Sequence, residues 1–123
     1  MKTALILFAH GARDPEWATP MRHVQTALQD SLAEADVDLA FLEFMTPTLA
    51  ESVAARVSAG VGKITVVPMF IAQGGHLKRE LPELVNAMRA TYPGVEFVLT
   101  GPIGEQPAVM AAMAKSAREL AGL

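Results

Sequence analysis

The sequence contains no cysteine among its 123 residues. Disulfide bonds and thiolate metal sites are therefore excluded, and this composition is compatible with the cytoplasm. No stretch reaches the roughly 20 apolar residues that a transmembrane helix needs, so we expect a soluble cytoplasmic protein without a membrane partner. The apolar run near the N-terminus is short and leads into His10 and Gly11. It is more typical of a first buried strand than of a secretory signal peptide.

Charged residues form no block of one sign, and the formal net charge is −3. Proteins that bind nucleic acid through a broad basic surface need clustered Lys and Arg, so we expect no nucleic-acid partner. A Gly-x-Gly-x-x-Gly fingerprint and a P-loop are also absent, because the turn after the first apolar run reads HGARDP. An anionic ligand would therefore depend on a local group of basic residues.

Four apolar runs predict strands, at residues 4–9, 39–44, 64–70 and 95–99. Three of the runs are nearly continuous, which is typical of strands that are buried on both faces of a parallel sheet. Pro68 removes a hydrogen bond from the third strand, so it indicates a bulge or the point where the chain leaves the sheet.

Segments with helical spacing separate these runs, at residues 17–32, 49–57 and 78–92, and a fourth follows Pro107. Thr46 and Pro47 predict the cap and first position of the second helix. Met110 and Met113 have the spacing of core residues in the last helix. The alternation predicts one α/β domain over residues 1–123, with three layers and a doubly wound, four-stranded parallel sheet of order 2-1-3-4.

Three polar residues lie at or just beyond the ends of successive strands of this predicted sheet: His10 directly follows the first, Glu43 is the penultimate residue of the second, and His76 comes six residues after Phe70. Because the carboxyl ends of parallel strands share one edge, we expect the three side chains to meet there, at the switch point between the first and third strands. Two imidazoles and a carboxylate suit Fe, Co, Ni or Zn. The same groups also transfer protons near neutral pH.

Each of these residues also has a structural interpretation. A single histidine after a buried strand is more often structural than a ligand. Glu43 is the more informative residue, because a carboxylate within the apolar run LAFLEF is costly to bury without a partner. Gly11, Gly74 and Gly75 either let the backbone approach a ligand closely or serve only as turn residues.

Basic residues flank the two histidines, namely Arg13, Lys78 and Arg79. They form either a cationic rim for an anionic ligand or ordinary solvated charges. The predicted start of the third helix near His76 would add N-terminal amide groups that favour an anion.

Four segments, LILFAHGARDP, FLEFMTPTLAE, VVPMFIAQGGHLKRELPEL and GPIGEQP, occur in that order along the chain. Together they resemble the class II tetrapyrrole chelatases, specifically the small, single-domain sirohydrochlorin cobaltochelatase type, which is related to the sirohydrochlorin ferrochelatases. The resemblance extends over almost the entire chain.

The resemblance implies insertion of a divalent metal into sirohydrochlorin without ATP, in cobalamin or sirohaem biosynthesis. Co²⁺ is the first candidate and Fe²⁺ or Ni²⁺ the next, with no cofactor beyond this substrate metal. The family's metal-contacting histidines fall on His10 and His76, and its acidic residue falls on Glu43. The basic residues become possible anchors for the eight carboxylates of sirohydrochlorin. Longer relatives contain this unit twice, which implies a homodimer around the macrocycle.

One departure from the family concerns metal supply. Some small relatives carry a His-rich segment, whereas this chain has three His in total and no such run. Metal would then come from solution or from another protein, and the preference for cobalt stays open. Two other hypotheses remain: a non-catalytic carrier of metal or tetrapyrrole, and a different small-molecule enzyme on a flavodoxin-like scaffold that uses bound phosphate.

Overall fold

The computed structural model describes residues 2–123. Strands and helices alternate along the chain, in the order β1 (Thr3–Ala9), α1 (Thr19–Ser31), β2 (Ala35–Phe41), α2 (Leu49–Ser58), β3 (Lys63–Pro68), α3 (Gly75–Thr91), β4 (Glu96–Leu99) and α4 (Pro107–Leu120). Short 3₁₀ helices precede α1 and α4, at Pro15–Ala18 and Ile103–Glu105. No helix in this part of the chain is long and apolar enough to cross a membrane.

The four strands form one parallel sheet with the order β2-β1-β3-β4, as the sequence predicted. β1 is central and pairs with both β2 and β3. In this register Ala9 lies opposite Phe41, and Phe8 lies opposite Pro68. The three strands therefore end almost level, and the loops that follow them leave the sheet side by side. Pro68 is the last residue of β3, which confirms the interpretation that the chain leaves the sheet there.

Helices cover both faces of the sheet, which confirms the predicted three layers. On one face, Met21, Val24 and Leu28 of α1 and Leu32, which caps it, pack into a core with Leu7, Val37, Leu39 and Phe41. On the other face, α2 and α3 bury Leu49, Val53, Leu81, Val85 and Met88 against Ile6, Phe8, Ile64 and Val66. This division fits right-handed crossovers, because β1 connects in one direction along the sheet and the later strands return in the other.

The start of α2 differs from the prediction. Thr48 is the cap, its hydroxyl accepts from the amide of Glu51, and the Glu51 carboxylate accepts from the amide of Thr48 at 2.8 Å. This reciprocal capping box satisfies two amides that Thr46 could not reach. Thr46 and Pro47 lie before the helix, joined by a cis peptide bond.

β2 begins and ends earlier than predicted, at Ala35 and Phe41 rather than at residues 39 and 44. The first half of β2 was not predicted as a strand because it contains Asp36 and Asp38, and acidic residues are rare in strands. Arg56 of α2 pairs with both: its Nε lies 2.6 Å from Oδ2 of Asp38, and its Nη1 lies 3.1 Å from Oδ2 of Asp36. The hydrogen bond to Asp38 is the largest of the contributions that raise the pKa of the Arg56 guanidinium above its ordinary value. Ser52 donates a further hydrogen bond to Asp38.

The prediction that Met110 and Met113 belong to the core is wrong for the single chain. Their exposed fractions are 49% and 39%, and no residue of α4 is buried. Among the elements, α4 makes its main contacts with the 3₁₀ helix Ile103–Glu105 that precedes it. The apolar side of α4 is therefore left uncovered by the rest of residues 2–123.

Candidate active site

His10 is the first residue after β1, the central strand. Its imidazole packs on the ring of Phe70, with the ring centroids 4.5 Å apart and the planes 42° apart. Phe70 is itself buried, and it packs against Phe8 of the core. A fixed aromatic surface therefore supports His10 from one side, while the residue as a whole remains exposed to solvent.

Glu43 is positioned beside His10 by backbone hydrogen bonds that extend past the strand ends. The amide of Leu42 donates to the carbonyl of Ala9 at 2.9 Å, and the amide of Glu43 donates to the carbonyl of His10 at 3.0 Å. Gly11 has a φ of +85°, and a Cβ on it would overlap the carbonyl oxygen of Glu43. Gly11 is thus required for the two loops to lie against each other. The sequence analysis had offered two other roles for it, which were close approach of the backbone to a ligand and a simple turn.

The sequence argument for Glu43 rested on burial, and that part is wrong. Glu43 lies two residues beyond the end of β2 at Phe41, and it is exposed. Its carboxylate therefore carries no burial cost. Its closeness to the end of the strand was the other half of the argument, and the position two residues past Phe41 places it at the carboxyl edge of the sheet.

His76 lies in the first turn of α3, which begins at Gly75, three residues before the predicted start. Its side chain is 79% exposed, and its Nε2 lies 2.9 Å from Oε1 of Glu80, one turn further along. Gly74 is the cap residue and is extended, with a φ of −67°. A Cβ on Gly74 or Gly75 would meet nothing within 4 Å, so the fold itself does not require either glycine.

The three predicted residues line one cleft of about 640 Å³, whose other lining residues are Leu42, Gly74, Leu77 and Glu80. The strand-end argument thus brought His10, Glu43 and His76 to the same opening. They are not assembled as a closed metal site, because within residues 2–123 no three His, Asp or Glu side chains are grouped closely enough to hold one ion.

Glu80 is a lining residue that the sequence analysis did not select. Its signal was the spacing H-x-x-x-E, which places two side chains on one face of a helix. That signal required α3 to include His76, whereas the predicted helix began at about residue 78. With a helix that begins at residue 78, the four-residue spacing does not place His76 and Glu80 on one helical face.

An apolar pocket of about 340 Å³ adjoins this cleft. It shares Leu42, Leu77 and Glu80 with the cleft, and its remaining lining residues are Phe8, Leu81, Glu83 and Leu84. A polar opening that continues into an apolar pocket suits a large ligand with both kinds of surface.

The three basic residues of the predicted rim are exposed and do not line the cleft itself. Arg13 lies in the loop after β1, and its guanidinium carbon is 4.8 Å from the centroid of the Phe44 ring. Lys78 and Arg79 follow His76 in the first turns of α3. Their proposed contacts with an anionic ligand remain predictions.

The parallel α/β domain and the open cleft at its switch point, with two imidazoles and a carboxylate, have the arrangement that the resemblance to the chelatases predicted. A comparison with family models agrees: the CbiX model matches residues 4–120. The chain belongs to the CbiX family, and the resemblance drawn from the four sequence segments is confirmed.

Two curated relatives are both described as sirohydrochlorin cobaltochelatases. The protein from Saccharolobus islandicus (strain Y.G.57.14 / Yellowstone #1) is 30% identical over 123 residues, which cover 94% of this chain and 93% of the relative. The protein from Priestia megaterium is 33% identical over 104 residues, which cover 85% of this chain. The match spans only 33% of the length of the Priestia protein.

Solved structures show the same fold. A CbiX protein from Marinobacter aquaeolei VT8 superposes with a TM-score of 0.84 and 30% identity, covering 98% of both chains. SirB from Bacillus subtilis, determined with Fe³⁺, superposes with a TM-score of 0.81 and 25% identity. The superposition covers 98% of this chain and 48% of SirB, so this chain corresponds to about half of that protein.

Proposed function

We propose that this protein inserts a divalent metal into sirohydrochlorin without ATP, in cobalamin or sirohaem biosynthesis. Co²⁺ is the first candidate metal, and Fe²⁺ and Ni²⁺ are the next, because all three accept imidazole and carboxylate ligands. The observation that carries the proposal is the position of His10, Glu43 and His76 around one switch-point cleft in a member of the CbiX family.

The reaction exchanges protons for metal. Two pyrrole nitrogens each lose a proton and bind the metal, while the metal loses its water ligands. In our proposal His10, supported by Phe70, is the leading metal ligand and proton acceptor. His76 is its partner, and Glu43 is a further ligand or the path for the protons. General bases near neutral pH suit this task.

An open arrangement of these side chains fits a metal that is substrate rather than cofactor. A closed set of three or four ligands would hold the ion tightly and oppose its transfer to the macrocycle. In the described part of the chain the ligands line a cleft without forming such a set.

Sirohydrochlorin is wide and carries carboxylates around its edge. Leu42 and Leu77, which line both the cleft and the adjoining apolar pocket, offer contact to the macrocycle. We propose that Arg13, Lys78 and Arg79 bind its carboxylates. Gly11, Gly74 and Gly75 belong to the same proposed substrate site, where the latter two leave the backbone at the start of α3 open to the ligand.

We further propose that two copies of the chain form a homodimer around the macrocycle, in the cytoplasm. Two observations support the dimer. The chain matches about half of SirB, and the apolar side of α4 lies exposed. A twofold axis would present the cleft of each copy to a shared ligand.

The test is a metal-by-metal insertion assay. Sirohydrochlorin and Co²⁺, Fe²⁺ or Ni²⁺ are mixed anaerobically, and the change of the absorption spectrum is followed with and without protein. We expect faster insertion with protein, and a loss of about 10²-fold in His10→Ala. His23→Ala is the matched control, because His23 is exposed on α1 and outside the cleft. Insertion no faster than in the uncatalysed mixture contradicts the proposal, and stoichiometric binding without turnover favours a carrier.

A further inference from the structure

Phe44 has an unusual backbone conformation for a bulky residue. Its φ is +65°, in the left-handed region, and its exposed fraction is 57%. Residues with a Cβ pay free energy in this region, and glycine and asparagine adopt it more readily. An aromatic side chain at such a position therefore needs some compensation.

Packing of the Phe44 side chain does not supply that compensation. Phe44 belongs to neither of the two core clusters, and its ring lies largely in solvent. The Phe44 ring makes a cation–π contact with Arg13, whose guanidinium carbon lies 4.8 Å from the ring centroid. A cation–π contact at an exposed site is weak. The loop that carries Phe44 is closed by a hydrogen bond from the amide of Phe41 to the carbonyl of Pro47 at 2.9 Å, which accounts for the turn of the chain but not for an exposed aromatic side chain at its left-handed position.

The position of this pair relative to the cleft is fixed. Phe44 directly follows Glu43, and Arg13 follows His10 by three residues. The two loops that carry them are joined by the hydrogen bonds from Leu42 to Ala9 and from Glu43 to His10. Phe44 and Arg13 therefore lie on the same two joined loops as the two proposed metal-handling residues, outside the lining of the cleft itself.

We infer that Arg13 and Phe44 form a recognition element for the tetrapyrrole, which rests on the proposed function. The guanidinium covers one face of the Phe44 ring, and the other face packs against the flat macrocycle. The stacked guanidinium keeps its N–H groups at its edge and donates them to a peripheral carboxylate of the same substrate. Neither Phe44 nor its pairing with Arg13 was selected from the sequence.

The experiment compares Phe44→Leu, Phe44→Asn and Phe44→Trp with wild type. The dissociation constant for sirohydrochlorin without metal is measured by absorption titration, beside KM and kcat for insertion and the melting temperature. We expect about tenfold weaker sirohydrochlorin binding in the Leu and Asn variants, through KM rather than kcat, because a stacking contact is lost. Phe44→Trp should restore binding, and Phe44→Asn should raise the melting temperature by relieving strain.

Arg13→Gln tests the other partner. It should weaken sirohydrochlorin binding, and the double variant with Phe44→Leu should lose less than the two single losses combined. Arg22→Gln is the matched control, since Arg22 lies 5.8 Å from the centroid of the buried Phe41 ring and outside the cleft. Its affinity for sirohydrochlorin should equal that of wild type.

The outcomes separate this inference from the proposed function. Unchanged sirohydrochlorin affinity in the folded Leu and Asn variants overturns the inference, even when wild type inserts metal normally. Weakened affinity in these variants supports the inference even when wild type binds sirohydrochlorin without inserting metal, a result that overturns the proposed function alone. A lower melting temperature in Phe44→Asn with unchanged affinity assigns Phe44 a structural role and overturns the inference as well.

Discussion

Glu80 lies one helical turn beyond His76 on α3, and its Oε1 is 2.9 Å from Nε2 of His76. Both side chains are more than half exposed, so the pair is weak in energy and easily displaced. While the pair is formed, the carboxylate limits the directions that the imidazole ring of His76 can take. Glu80 is therefore a positioning residue for His76 in the proposed reaction.

Replacing Glu80 by Gln should weaken the binding of metal without affecting the fold. We expect Co²⁺ affinity, measured by calorimetric titration, to fall by about tenfold because His76 loses the partner that orients it. Glu83→Gln is the matched control, since Glu83 lies on the same helix and lines the apolar pocket but not the cleft. Equal Co²⁺ affinities in the two variants would show that the pair has no role in metal binding.

Substitution of Gly11 and of Gly60 by Ala separates two costs. Both variants would have backbone strain, but only the variant at Gly11 would also have a steric clash. The φ angles of the two glycines are +85° and +87°, but a Cβ on Gly11 overlaps the carbonyl of Glu43, whereas one on Gly60 meets nothing within 4 Å. Gly60→Ala should cost about 1 kcal/mol of unfolding free energy from strain. Gly11→Ala should cost about 2 kcal/mol or more, because the loops must also separate.

Urea unfolding of both glycine variants measures these costs. Gly11→Ala should also slow metal insertion, since Glu43 moves away from His10, and Gly60→Ala should leave insertion unchanged. If both variants lose the same stability and neither changes insertion, the close approach of the two loops has no functional role.

The alternation of strands and helices was predictable because it depends on features that are local in sequence, whereas the strand order followed from the habits of doubly wound folds. Each apolar run is short and continuous, each is followed by helical spacing, and right-handed crossovers leave few arrangements of such units. The same reasoning brought His10, Glu43 and His76 to one edge, since only the strand ends needed to be known. Their convergence on one cleft required no knowledge of side-chain packing.

The errors have a common physical cause, which is that partners distant in sequence decide the outcome. From the sequence, Asp38 is predicted to lie in a loop. In the structure it lies in β2, where Arg56 and Ser52 of α2 donate hydrogen bonds to it. Met110 and Met113 have the spacing of core residues, but spacing does not state whether the partner surface is in the same chain. The positive φ of Phe44 cannot be predicted from the periodicity of the sequence.

The contact of Asp38 with Arg56 and Ser52 should contribute substantially to stability. Arg56 donates two hydrogen bonds to Asp38, at 2.6 and 2.7 Å, and the side chain of Asp38 is only 17% exposed. Asp38→Ala should lower the unfolding free energy by about 2 kcal/mol, because charge-assisted hydrogen bonds are lost and buried Ser52 loses its acceptor. Asp36→Ala, which removes one more exposed ion pair, should cost about 0–1 kcal/mol.

The pH dependence of this contribution follows from the pKa of Arg56. Folding raises the pKa of its guanidinium, chiefly through the hydrogen bond to Asp38. A cationic group with a raised pKa stabilises the fold fully below its unfolded-state pKa and loses this effect only as the pH rises through the folded value. The stability difference between wild type and Arg56→Met should therefore be constant from neutral to mildly alkaline pH, as measured by urea unfolding at several pH values. A decline within that range would contradict the assignment.

The exposed apolar side of α4 leads to the final prediction. Met110 and Met113 share it with Leu120, which is 90% exposed. In the proposed homodimer this surface is covered by the second copy, so Met113→Lys should place a charge in the interface and yield monomers. Light scattering coupled to gel filtration should report twice the mass of one chain for wild type and the mass of one chain for the variant.

Ala111→Lys is the matched control for α4, because Ala111 is exposed on the side of the helix that carries Lys115 and Arg118. It adds the same charge and should leave the mass unchanged. Metal insertion should fall in Met113→Lys and not in Ala111→Lys, although all residues of the cleft remain in place, since each copy supplies one side of the macrocycle site. A monomeric wild type with full insertion activity would show that one cleft is sufficient, and the exposed side of α4 would then have no part in the reaction.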